Sequence, residues 1–370
     1  MHRWAAFFIF LAGLILAFIK APKVEPASFV VPAKVASSNA AAEFSREMLP
    51  AAAPMAHGSS LTVLDDGRLA AAWYAGSRET APDVRIWLAL RDQGGWSAPR
   101  VAADPIEVAS AIHATVQSLG NPVITAQGKR LHLWFVCITV GGWSGSSILH
   151  QFSEDDGQSW SQPIRLTTSA FFNLGTLTRN PAVALANGEF GLPVYHEFFD
   201  RRAEWLRIGS AGQVLAKVRM PGLSTSFQPA VAALDRDRAF AVQRSTHSRG
   251  DTIAASRTAD GGATWQAAPL LPIANYDDAL ALLRLDSGRL LLAANPHRFR
   301  NFLQLFLSDD EGVSWRPSRI VEDDPDRYAE YSYPALAQTP DGLIHLLYTF
   351  QRATIAHAVF NEATLLADSR

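Results

Sequence analysis

Ser153-Glu154-Asp155-Asp156-Gly157-Gln158-Ser159-Trp160 decides the fold, because its pattern returns. Ser/Thr-x-Asp-x-Gly-x-Ser/Thr-Trp recurs at Thr258-Ala259-Asp260-Gly261-Gly262-Ala263-Thr264-Trp265 and at Ser308-Asp309-Asp310-Glu311-Gly312-Val313-Ser314-Trp315, with a degraded copy at Asp92-Gly94-Gly95-Trp96. Asp and Gly close a tight turn, side-chain oxygens bond the local backbone, and the Trp packs back onto a sheet. The motif therefore reads as a hairpin staple, with Asp155, Asp260 and Asp310 and Trp160, Trp265 and Trp315 in structural roles.

A second pattern sets the period. A strand, a glycine-bearing turn and another strand occur as Leu61–Asp66, Gly67, Arg68–Tyr74, and again around Gly128, Gly188, Asp237, Gly288 and Gly342. Successive turns lie 49 to 61 residues apart. Six repeats of this size, each unable to bury both faces alone, specify an all-β, six-bladed β-propeller. Continuous apolar strands such as Arg289–Ala294 fit sheets packed on both faces.

The rest of the chain divides around that unit. Residues 1–20 hold an uncharged apolar run, Trp4–Ile19, flanked by Arg3, Lys20 and Lys23. It is a signal-peptide core or a membrane anchor; no small-x-small cleavage pattern follows directly, which favours the anchor. Either way the protein is exported: anchored in the inner membrane facing the periplasm, periplasmic, or secreted. Residues 21–54, rich in Pro, Ala and Lys, read as a tether, part of which could supply a ring-closing strand. Residues 55–370 form the propeller.

The net charge of −2, from 33 basic and 35 acidic residues, sets nucleic acid aside as a partner. Cys137, the one cysteine, follows the apolar run Leu131–Val136 and reads as a buried thiol. No metal-ligand spacing and no cofactor motif stands out.

In a propeller the inner strand of each blade starts at the central channel, so residues about nine before each turn look inward. These are His57, Asn121, Arg179 with Asn180, Gln228, Asp277 with Asp278, and Tyr333. Strand ends add Arg78, Glu79, His196, Glu197, Arg244, Asn295, His297, Arg298 and Arg352. Polar residues at one repeat phase amid apolar strands mark a site.

The Asp boxes, the six-fold repeat and the apolar N-terminus together resemble the bacterial sialidase (neuraminidase) superfamily, in its BNR-repeat branch. That resemblance implies three arginines clamping a sugar carboxylate, a tyrosine nucleophile, a glutamate that takes its proton, and a loop aspartate as acid and base. Tyr333 matches the nucleophile, Arg244 and Arg300 the second and third arginines, and Asp83 the loop acid. Two positions depart: His57 stands where the family opens on its first arginine, and Gln228 replaces the glutamate. Arg78 or Arg179 could complete the clamp, and Glu197, Glu79 or Glu330 the base.

Three readings stay open. One is an exo-glycoside hydrolase removing an acidic terminal sugar from a glycan or oligosaccharide. The second is a lyase of uronate polymers, and the third a glycan-binding or envelope-assembly propeller without catalysis.

Overall fold

The computed structural model describes residues 4, 7, 8, 10–13, 24–34, 41–169, 173–198, 200–246 and 252–367. The apolar run read as a signal or anchor falls largely outside them. Among the described residues no helix is long and apolar enough to cross a membrane.

The chain forms six antiparallel sheets, the blades of a β-propeller. Their inner strands are, for blades I to VI, Met55–Val63, Ser118–Gln127, Thr176–Thr178 with Val183–Ala184, Phe227–Ala233, Ala281–Arg284 and Tyr331–Gln338. The inner strand of blade I packs against those of blades II and VI. Every inner strand runs from one face of the disc, the mouth, to a hairpin at the other, the turn face. Five of the six turn residues read from the sequence, Gly67, Gly128, Gly188, Gly288 and Gly342, have positive φ.

Ring closure departs from the boundary at 55. Phe44–Met48, inside the stretch read as tether, pairs antiparallel with Thr354–Phe360 and forms the outer strand of blade VI. One blade thus takes strands from both ends of the chain, tying the circle. Residues 25–34 are also ordered against the propeller: Phe29 is 3% exposed and packs on Trp205, ring centroids 6.3 Å apart. Composition resembled a linker because what orders the segment is long-range contact, invisible in its own residues.

The repeated octapeptide folds as a turn in all three copies. Asp260 Oδ1 accepts from the Thr264 amide at 2.8 Å and from Thr258 Oγ1 at 2.8 Å, and the Gly262 amide donates to Thr258 Oγ1 at 3.0 Å. Asp155 and Asp310 accept the equivalent bonds from Ser159 and Ser314, each at 2.8 Å. The Trp does more than pack on its own sheet. Trp265 of blade IV meets Trp205 of blade III at 5.5 Å, and Trp315 of blade V stacks with Phe240 of blade IV at 6.3 Å. Each box therefore fastens its blade to the preceding one.

Gly262 shows how tightly. Its φ is +85°, and a Cβ there would lie 2.6 Å from Trp205 Nε1. Gly262→Ala combines left-handed backbone with overpacking and is expected to cost about 2–4 kcal/mol. Urea unfolding reads this as a lowered midpoint at unchanged slope; a midpoint equal to wild type would mean the blades do not depend on the contact.

Candidate active site

The mouth is built by a repeated defect in the inner strands. Ladder register shifts between His57 and Ser60, Gly120 and Val123, Phe227 and Ala230, and Ser332 and Ala335. Inside each bulge one residue has positive φ: Gly58 (60°), Asn121 (41°), Gln228 (46°) and Tyr333 (55°). In blade V Asp277 (70°) precedes the strand, and in blade III pairing breaks around Arg179-Asn180. Left-handed backbone at a non-glycine residue costs about 1–2 kcal/mol, so three such residues at one phase mark a functional device. Proline follows the bulge residue in Asn121-Pro122, Gln228-Pro229 and Tyr333-Pro334, and the break in Asn180-Pro181. It lacks an N–H where the ladder has no use for one.

The bulges aim side chains at one another. Arg244 Nη1 donates to Gln228 Oε1 at 2.8 Å and to the Tyr333 hydroxyl at 3.3 Å. Gln228 Nε2 and Asn121 Nδ2 both donate to the Tyr195 hydroxyl at 3.2 Å. Arg300 donates to Asp278 Oδ1 at 2.6 Å and to Glu330 Oε1 at 2.9 Å, and Arg352 donates to Glu330 Oε2 at 2.6 Å and pairs with Glu79. Guanidinium carbons of Arg179, Arg300 and Arg244 lie 5.1, 5.5 and 6.0 Å from the Tyr333 ring centre. The structure brings Tyr333, Gln228, Arg244 and Arg300 together at the mouth.

His57 occupies a different place from the one its repeat phase suggested. Gly58 sits in the bulge, and a one-residue slip turns His57 to another face. Its ring is 1% exposed, lies 4.3 Å from the Tyr333 ring, and shares a hydrogen bond of 2.9 Å with Thr349 Oγ1. Burial, reinforced by Arg352, pushes its pKa well below 6.5, so the ring is neutral at physiological pH. It braces the tyrosine and contributes no charge to a clamp.

Arg179 is likewise a strut. It is 1% exposed, and its terminal nitrogens donate to the Ser59 and Pro334 carbonyls at 3.2 and 3.1 Å, joining blade III to blades I and VI beneath Tyr333. Among the described residues no carboxylate pairs with it, and burial lowers its pKa to about 10. Arg78 lies exposed on the loop after Leu69–Gly76, without an ion pair among the described residues. The neighbouring Glu79 reaches the network instead, through Arg352. Arg352, which the sequence placed at the channel but not in the clamp, is the third guanidinium of this network, with 38% of its side chain exposed against 23% for Arg300 and 9% for Arg244.

The carboxylates divide by environment. Burial alone would raise the pKa of Glu330, but the Arg352 hydrogen bond and the Arg300 charge bring it down to about 2, so it is ionised. Glu197 is raised by burial and pairs with Arg201 at 3.1 Å, beside Arg244. Asp83 stands apart: it is exposed, accepts from the Ser77 amide and hydroxyl at 3.0 and 2.9 Å, and is held below the usual carboxylate range chiefly by that hydroxyl. Among the described residues no carboxylate hydrogen-bonds the Tyr333 oxygen. A separate cleft of about 770 Å³ opens on the rim between blades I and II, around Gln151 and Trp160, and shares no residue with the Tyr333 group.

A family model of the BNR repeat-like domain matches residues 67–346, and the chain belongs to this family. No curated protein matches the sequence. Among solved structures it is similar to the Hadza microbial sialidase Hz136 (TM-score 0.69, 16% identity, 84% of this chain and 66% of that one). It is also similar to the intramolecular trans-sialidase of Ruminococcus gnavus in complex with oseltamivir carboxylate (0.65, 15%, 84% and 95%). A protein of unknown function from Dyadobacter fermentans matches as well (0.67, 15%, 85% and 97%). The chain spans just under two thirds of Hz136. Identities this low establish the fold.

Proposed function

We propose that this chain is an exported exo-glycoside hydrolase that removes an acidic terminal sugar, with Tyr333 as nucleophile. The observation that carries the reading is the Arg244 donor 3.3 Å from the Tyr333 hydroxyl, at the head of a channel where Arg300 and Arg352 also face the opening. A sugar carboxylate binds these guanidinium groups by exchange with Asp277, whose side chain is 42% exposed and pairs with Arg244 at 2.9 Å. The Tyr333 oxygen attacks the anomeric carbon and releases its proton to water in the channel, as the bond to the leaving oxygen breaks and that oxygen takes a proton from Glu197. Water then cleaves the aryl glycoside and restores the phenol. Glu197 suits the proton-donor role better than Asp83, because burial favours its protonated form whereas Ser77 holds Asp83 ionised.

The test is covalent trapping. Activated fluoro-glycosides of sialic and uronic acids, incubated with the protein and followed by peptide mass spectrometry, are expected to leave one sugar on the peptide carrying Tyr333. An adduct elsewhere, or an unsaturated uronate product absorbing in the ultraviolet, would sink the assignment.

A second reading is a glycan-binding propeller. It is favoured by Gln228, which cannot take a proton from Tyr333, and by the pairing of Arg244, Arg300 and Arg352 with carboxylates of the chain itself. Calorimetric binding of an acidic glycan with neither adduct nor product would establish it.

A further inference from the structure

Residues 25–34 lie across the turn face of the propeller. The Phe29 amide donates to the Arg236 carbonyl at 2.7 Å, the Val30 amide to Ala184 at 3.0 Å, and the Ala186 amide to Ser28 at 2.8 Å. Arg207 Nη1 and Arg236 Nε donate to the Glu25 carbonyl at 2.6 Å and to Ser28 Oγ at 3.0 Å. Val30, Val31 and Pro32 wall an apolar hollow of about 250 Å³ against Val183, Val231 and Leu336, on the inner strands of blades III, IV and VI. The segment is therefore a strap over the lower end of the channel. Gly261 confirms how closely it fits, since a Cβ there would meet the Ala27 carbonyl at 1.7 Å.

The strap fixes where the chain enters the propeller. Gln228 is at the mouth and Arg236 in the turn after the strand ends at Ala233, and six strand residues at about 3.3 Å each separate the two faces by about 20 Å. From Val24, the first residue of the described segment, five residues lead back to Ile19, the end of the apolar run, a reach of at most about 18 Å. Lys20 and Lys23 lie within that length of chain; on the strap and the adjoining turn the exposed charges are mixed, Lys34 and Arg236 beside Glu25 and Asp237, so it is the short connection that holds this face near the apolar run. Basic residues beside an apolar segment are drawn to anionic lipid headgroups.

We infer that the turn face of blades III to V is the membrane-facing surface of this protein, with the Tyr333 mouth directed away from the bilayer. This rests on the proposal that the chain is exported and on reading its apolar N-terminal run as an anchor. It deepens that proposal by naming the substrate's location: glycans presented from outside the anchoring bilayer, and not the headgroups of glycolipids within it.

Two single-cysteine variants of the full chain test it, Asp237→Cys on the turn face and Arg298→Cys at the mouth. Cys137 is buried, and burial raises its pKa to about 11, so it stays unlabelled. Each variant carries a fluorophore and is incorporated into liposomes of neutral and anionic phospholipid with a quencher on the lipid headgroup. Quenching several-fold stronger at position 237 than at 298 is expected. Equal quenching, or stronger quenching at 298, overturns the orientation and leaves the anchor standing. Protein that fails to float with the liposomes overturns the anchor and the orientation together.

Discussion

Tyr333→Phe lowers turnover of an acidic glycoside by at least about a thousandfold, the expected result if the phenol oxygen forms the bond to the sugar. The substitution isolates that oxygen. Phenylalanine keeps the ring against His57 and among the three guanidinium groups, and Pro334 still holds the bulge. What is lost is one hydroxyl and its bond from Arg244, a stability change of about 1 kcal/mol. KM is expected to change far less than kcat, because the groups meeting the sugar carboxylate remain. The measurements are kcat and KM by sugar release, with thermal unfolding as the control on folding. Activity within tenfold of wild type, in a variant that unfolds at the same temperature, would remove Tyr333 from the chemistry.

The propeller was legible because its repeat is written in residues that act locally. Asp310 and Gly312 make the same turn wherever the chain goes, so three copies and their spacing announce the blades before any contact is known. The mouth was legible only to within one residue. Counting back from the turns finds Tyr333 and Gln228, but in blade I the bulge residue is Gly58, and His57 is the side chain turned beneath the tyrosine. The proline after Asn121, Asn180, Gln228 and Tyr333 was the signal that fixes this register. Arg179 and Arg78 show a different limit. Both are arginines near the channel in sequence, yet one is sealed beneath Tyr333 and the other lies outside the network, while Arg352 takes the position between Glu330 and Glu79. Which arginine reaches a ligand depends on how loops from blades I and VI meet, and no single repeat carries that information. The strap and the closing strand Phe44–Met48 were hidden for the same reason, since their partners lie in distant blades.

Acid is expected to unfold the protein steeply below about pH 6.5, through histidines that fold neutral. His132 and His150 stack with Trp134 and share a hydrogen bond of 3.0 Å; His345 and His357 form a second pair at 3.0 Å; His57 lies under Tyr333. Burial is the largest cause lowering the pKa of all five. The charged groups around them differ: Arg130 faces the first pair, Arg91 and Glu47 the second, and Arg352, Arg300, Arg179 and Glu330 surround His57. A group with depressed folded pKa lets the unfolded chain bind protons first, so stability is complete above about pH 6.5 and falls as pH falls. At pH 5.5 each of the four paired histidines removes about 1.4 kcal/mol and the four together about 6, on the scale of a whole domain's stability, and His57 acts in the same direction. Glu330, lowered to about 2, extends the loss below pH 4.5, while Asp278 and Glu197, raised by burial, oppose it only near their own titration. Urea midpoints from pH 8 to 5 measure the slope, and replacing His345 and His357 by glutamine should flatten it by up to two protons' worth. A midpoint independent of pH from 7 to 5 would show that the pairs accept protons inside the folded blades.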